Sequence, residues 1–400
     1  MRNWFLLVVL GVLLSGCSNN DDAVPASPVP RFNAELAIEK VWSSRIGRGV
    51  GKSYLSLKPA VTERWLYAVS AEGILLKLDR ATGKPEWKVD LDRDISGGVS
   101  AGFGVIALGS SNGDILLLDD SNGKLLWEKP LGGQILAVPA LSEKRVIVQT
   151  MDGRLHGLSR KDGKSIWLYD TVIPILTLRG ESSPVVNNNI TLAGFANGKL
   201  VALDTKNGYV GWERPVGESQ GRSDLERLTD LDGRFWVSGK LVYAVTYQGN
   251  LAAIDLRTGR EIWRRTLSSY AGVSEFLDQV YVVDADSVLY AMNADNGADL
   301  WMQNQLQGRR LSAPTAYDRY VVVGDYEGYV YWLDRSDGAF QVRIHVGSRM
   351  YEQSPGKAQS LRSVKDPAVG VRVEPVVYDD VVYIQDNSGE LAAYKVAVKE

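Results

Sequence analysis

The sequence predicts an all-β fold: an eight-bladed β-propeller of four-stranded antiparallel blades, the ring closed by the N-terminal strand completing the C-terminal blade. Three observations predict it. A skeleton of Gly, Asp six residues on, Gly four later and Trp four after that recurs along the chain about every 40 residues. Each copy contains paired apolar runs joined by a short Gly-containing turn, the signature of a β-hairpin. The repeat region also opens on a Trp strand with no hairpin before it and closes on hairpins with no Trp strand after them. Repeats of this period mean a solenoid or a propeller.

The skeleton is complete in Gly73, Asp79, Gly83, Trp87; in Gly113, Asp119, Gly123, Trp127; in Gly198, Asp204, Gly208, Trp212; and in Gly249, Asp255, Gly259, Trp263. Ser159 replaces the Asp before Gly163 and Trp167. Ser287 and Asn293 depart from the pattern before Gly297 and Trp301. A seventh copy runs Gly328, Asp334, Gly338, with Val342 where Trp is expected. Within a copy, Leu241–Val245 and Leu251–Ile254 flank Tyr247-Gln248-Gly249-Asn250 as a hairpin. Asp255 to Gly259 then suits a second turn, in which the carboxylate accepts backbone N–H groups and Gly takes a positive φ. The Trp ends a last strand, where its ring buries area against the next unit. A strand such as Arg234–Val237 precedes the hairpin, making four per blade. The eighth unit has three strands, expected around Val371–Val373, Val376–Ile384 and Glu390–Val396. Ile38–Trp42 supplies the fourth, which removes two open sheet edges. Trp42, Trp87, Trp127, Trp167, Trp212, Trp263 and Trp301 are thus the expected blade-docking residues.

Three segments are expected: 1–16 a signal peptide, 17–36 a lipidated cysteine with a flexible tether, and 37–400 the propeller. Arg2 and the apolar Phe5–Leu14 form the first, too short to span a bilayer. Leu14-Ser15-Gly16-Cys17 resembles the bacterial lipobox, which implies that Cys17 is lipidated and becomes the first mature residue. Ser18 beside it resembles signals for the outer membrane, so the expected location is the periplasmic side of that membrane, with the lipid as the sole membrane contact. Ser18–Pro30 is polar and Pro-rich, and reads as the tether. Cys17 is the only cysteine, so no disulfide is available. The core must suffice.

Composition points away from several functions. A formal charge of −3 and the lack of a basic stripe exclude a nucleic-acid partner. The two histidines, His156 and His345, fall in different blades. No nucleophile–base arrangement, phosphate loop or metal-ligand cluster accompanies them. No enzyme activity, cofactor or metal is expected. The repeat resembles that of quinoprotein alcohol dehydrogenases, also eight-bladed propellers. Their adjacent-cysteine disulfide has no counterpart here, so that resemblance supports the fold and not the activity.

The irregular segments carry the functional expectation. Leu168–Ser182, Glu213–Gly233 and Gly347–Gly370 all connect the outer strand of one blade to the inner strand of the next, which places them on one face. The first two belong to neighbouring junctions. An apolar Ile-Pro-Ile-Leu-x-Leu ending in Arg, beside an acidic loop, reads as a binding patch. Leu176-Thr177-Leu178-Arg179-Gly180-Glu181-Ser182 and Arg227-Leu228-Thr229-Asp230-Leu231-Asp232, with the lipobox and the propeller, resemble the BamB family, the propeller lipoproteins of the bacterial β-barrel assembly machinery. The resemblance implies a non-catalytic scaffold that binds the periplasmic domains of the BamA barrel protein and assists folding and insertion of outer-membrane proteins. Other lipoproteins of that complex and unfolded outer-membrane proteins are further implied partners. It also implies that Leu176, Leu178 and Arg179 contact the partner, with Asp230 and Asp232 either joining them or holding Arg179 in place.

Overall fold

The middle and outer strands of most blades differ sharply in burial, and the difference follows from stacking blades like pages. In blade four, Ile190–Gly194 and Lys199–Asp204 are covered on both faces by neighbouring blades. The interior of the second, Leu200–Leu203, therefore reads as an unbroken apolar run, and that of the first is interrupted only by Thr191, whose hydroxyl pairs with that of Thr205 at 2.9 Å. The outer strand Val210–Pro215 buries only Trp212. In a computed structural model this arrangement recurs in eight four-stranded sheets, each strand paired antiparallel with the next. The model describes residues 24–50, 53–178, 182–217, 223, 228–346 and 370–397. Among them, inner strands of successive blades pack on one another around a central axis.

Each Asp-x-x-x-Gly segment closes the turn between third and outer strands. In blade four, Asp204 Oδ1 accepts the amides of Lys206 and Asn207 at 2.9 and 3.0 Å, and Gly208 adopts a φ of 76°. That glycine also receives the previous blade. A β-carbon on it would lie 2.7 Å from the Trp167 ring, so only hydrogen leaves room. Trp167 Nε1 donates to the carbonyl of Thr205 in the same turn at 3.1 Å. The same relationship holds around the ring: Trp42 donates to Arg80, Trp87 to Asp120, Trp127 to Arg160, Trp212 to Leu256, Trp263 to Ala294 and Trp301 to Arg335, all between 2.8 and 3.2 Å. Each indole thus buries its ring and satisfies its single donor at one junction.

The ring closes in blade eight, where Ile38–Arg45 pairs with Glu390–Val396 from Ile38 opposite Val396 to Arg45 opposite Glu390. This blade differs from expectation in detail. Val371 and Val373 are buried but lie outside any strand, the Val371 amide bonding to Asp325 of blade seven at 2.8 Å. Glu374-Pro375 follows, and proline lacks the amide an inner strand would use. The run expected over Val376–Ile384 is two strands, Val376–Tyr378 and Val381–Gln385, with Asp379 in the turn at a φ of 52°. Residues 24–36, within the expected tether, are laid along blade seven by the contacts described below.

Candidate partner-binding site

The outer-to-inner connections gather on one face of the ring. After blade three's outer strand Ser165–Asp170, the chain is held where it leaves the blade. Asn197 Nδ2 donates to Thr171 Oγ1 at 3.0 Å and to the Val172 carbonyl at 2.9 Å. Beyond this clamp it projects apolar side chains into solvent: Val172 and Ile175 are almost wholly exposed, Leu176 is 44% and Leu178 39% exposed. Four exposed apolar side chains within the seven residues 172–178 are a concentration beyond the scattered apolar exposure of an ordinary surface.

The neighbouring connection, from blade four to blade five, is built the opposite way. Leu228, Leu231 and Phe235 are buried and plug the junction. Asp230 lies between them with no exposure, its carbonyl accepting the Tyr247 amide at 3.0 Å and its Oδ2 accepting the Leu178 amide at 2.5 Å. The carboxylate therefore reaches across a blade junction and fixes the end of the apolar segment. Burial raises its pKa to about 6, against the opposing effect of the Leu178 amide. Among the described residues its Oδ1 has no hydrogen-bond partner. Asp232 and Leu178 both line the mouth of the axial cavity.

That cavity has a volume of about 1580 Å³ and is crossed by three charged side chains. Lys58, Arg234 and Glu374 occupy corresponding positions just before the inner strands of blades one, five and eight. Lys58 Nζ lies 2.6 Å and Arg234 Nη1 3.3 Å from Glu374 Oε1. Of the two histidines, His156 is buried, and burial pushes its pKa below the usual value. His345 packs edge-on against Tyr329. No cluster of metal-binding side chains occurs among the described residues.

The structure thus brings Leu176, Leu178, Asp230 and Asp232 to one region of one face. Cys17, Arg179 and the third irregular connection, apart from Gly370, lie outside the described residues. Sequence reasoning missed the clamp from Asn197, which the Asn-Gly pair disguises as simple turn chemistry. It also missed the axial triad, whose members come from widely separated parts of the chain.

Fold and site together define a Trp-docked eight-bladed propeller that presents an apolar loop, braced by a buried carboxylate, on one face. A sequence family described as outer membrane protein assembly factor BamB matches residues 39–97, 71–303 and 277–398. The outer membrane protein assembly factor BamB of Pseudomonas aeruginosa is 39% identical over 391 residues, covering 98% of either chain. The crystal structure of BamB from Moraxella catarrhalis superposes with a TM-score of 0.78 at 27% identity, over 90% of this chain and 100% of that one. The chain belongs to the BamB family of outer membrane protein assembly factors. A quinohemoprotein alcohol dehydrogenase from Pseudomonas putida aligns with a TM-score of 0.69 at 13% identity, over 90% of this chain and 77% of that one. That likeness shows a shared fold and nothing of activity.

Proposed function

We propose that this protein is a non-catalytic scaffold, lipid-anchored through Cys17 to the outer membrane and facing the periplasm. It binds the periplasmic domains of a BamA-type barrel protein and so assists the folding and insertion of outer-membrane proteins. The observation that carries the proposal is the exposed apolar segment 172–178 held in place by the buried Asp230 carboxylate. A braced loop loses little conformational entropy on docking, which favours binding. Leu176 and Leu178 act as apolar anchors, and Arg179 supplies a charge-assisted hydrogen bond to the partner. Asp230 serves as a positioning residue through Leu178, and Asp232 stands at the rim of the same patch.

A mild-detergent pull-down from membranes tests this, comparing the wild type with Leu176→Ala and Arg179→Ala. Truncating a central anchor costs about 2 kcal/mol, roughly thirtyfold in affinity. A large barrel protein recovered with the wild type and lost with both folded variants is the expected result. Equal recovery with all three refutes the placement of the site, and no barrel protein in any of them refutes the scaffold reading.

A further inference from the structure

Seven junctions of the ring carry a Trp docked on the next blade's turn; the junction from blade seven to blade eight does not. Its outer strand has Val342 at the Trp position, fully buried. Blade eight has no turn to receive an indole, because its third strand, Glu390–Val396, and its outer strand, Ile38–Arg45, come from opposite ends of the fold. Ala34 and Leu36, at the end of the segment 24–36, pack against the cluster that contains Val342.

That segment follows blade seven from one face to the other. Val24 and Pro25 carbonyls pass so close to Gly308, in the connection before blade seven, that a β-carbon there would meet them at 2.7 and 2.6 Å. The Ser27 amide donates to the Gln307 carbonyl at 2.8 Å, and Arg309 Nη1 donates to the Ser27 carbonyl at 3.0 Å. Arg309 is itself buried and gripped by Asp325 and Glu327 at 2.7 and 2.5 Å. Farther along, Arg343 Nη1 donates to the Pro30 carbonyl at 2.5 Å. Phe32 stacks on Phe340 with ring centroids 4.9 Å apart and planes 14° from parallel. The Glu35 amide bonds to the Gln341 carbonyl at 2.9 Å, and Ala34 and Leu36 pack on the cluster that contains Val342.

We infer that residues 24–36 are a strap that replaces the missing eighth Trp dock and fixes the exit of the anchoring segment on the face that carries the 172–178 patch. The partner it orients the propeller toward is a lipid surface. Val24 is seven residues on from Cys17. Even fully extended, that stretch reaches no more than about 25 Å. Released back to Ile38, the tether would lengthen to twenty-one residues. Its reach would then be about 70 Å. Docking of the strap therefore keeps the loop face on the membrane side and close to it. This orientation rests on the reading of Cys17 as the lipid anchor; the docking does not.

The full-length lipidated chain in phosphatidylethanolamine–phosphatidylglycerol vesicles with a headgroup-linked acceptor dye tests both. A donor dye is placed on Val172→Cys, on the loop face, or on Tyr209→Cys, in a turn on the opposite face. The faces stand about 20 Å apart, the length of a strand. Energy transfer at least twofold greater from position 172 is expected, and equal or reversed transfer overturns the orientation. Amide exchange on the same preparation should show the Ser27 and Glu35 amides protected at least tenfold over free chain. Phe32→Ala should abolish that protection at both amides, and Ser27→Pro, which leaves no amide at position 27, should abolish it at Glu35; Val322 in blade seven should stay protected in both, and both should level the two transfer signals. Unprotected Ser27 and Glu35 amides in the wild type overturn the strap. Protein that fails to sediment with vesicles overturns the anchor and with it the orientation, while strap protection still stands or falls on its own.

Discussion

Arg234 and Glu374 meet across the axis of the ring, Nη1 to Oε1 at 3.3 Å, although 140 residues separate them in sequence. Lys58 reaches the same oxygen, so one carboxylate ties blades one, five and eight together through the middle of the cavity.

Burial alone would raise the pKa of Glu374, but Lys58 and Arg234 overcome it and hold the carboxyl at about 2. That is below the usual glutamate value of about 4.3, so the stabilisation is present above that pH and is lost as pH falls through 2. Glu374→Gln should lower unfolding free energy at pH 7 by about 2 kcal/mol, a moderate loss because the side chains keep some contact with cavity solvent. It should also flatten the acid limb of stability below about pH 5. Denaturant titrations at several pH values check both.

Asp230 titrates in the opposite sense. Its folded-state pKa of about 6 lies above the usual aspartate value of about 3.9, so the fold favours the protonated form. The stability it contributes is present below pH 4 or so and is lost as pH rises through about 6. Asp230→Asn keeps an acceptor for the Leu178 amide without the charge, and should stabilise the protein at pH 7.5 by about 2 kcal/mol but hardly at pH 4. Asp230→Ala removes the brace, and exchange of the Leu178 amide should accelerate at least tenfold.

Two glycines separate packing from backbone strain. Gly104 and Gly208 have nearly the same φ, 77° and 76°, but a β-carbon at Gly104 would meet nothing within 4 Å whereas one at Gly208 would meet Trp167. Gly104→Ala should cost about 1 kcal/mol, the penalty of a left-handed conformation. Gly208→Ala should cost about 2 kcal/mol more than that, by pushing the indole out of its dock. Equal costs in thermal or chemical denaturation would show that the dock tolerates displacement.

Restoring the repeat at its exception should not help. Val342→Trp places an indole in a fully buried position where no turn awaits it and Leu36 already packs nearby. Overpacking should destabilise by about 1–3 kcal/mol. A more stable variant would mean that the strap had yielded its place to the ring.

The fold was legible because its unit is local. The Gly, the Asp and the hairpin sit close together in sequence, and the Trp that ends each copy lands one copy along on a glycine the sequence also shows. Ring closure was legible from the unpaired Trp42 strand. What lies beyond one repeat was not. The strap reads as solvated linker because Pro30 and Phe32 find their partners near the other end of the chain, at Arg343 and Phe340. The role of Asp230 was open for a related reason: an acidic residue in a loop looks exposed until the buried Leu228 and Leu231 on either side fix its direction. The inner strand of blade eight was misplaced because buried valines at 371 and 373 imitate a strand.

The pairing of Ile38–Arg45 with Glu390–Val396 also has a meaning in time. A chain that folds as it emerges makes its first strand at the start and meets that strand's partner only near its end, Glu390 following Lys40 by 350 residues. Blades one to seven can form from neighbouring sequence, but the first strand presents an open edge until the last hairpin arrives. Loop-closure entropy grows slowly with length, so the delay barely affects the stability of the finished ring and falls mainly on the rate. The moment of folding expected to be slowest and most exposed to aggregation is therefore the last one, when a nearly complete arc has yet to find its own beginning.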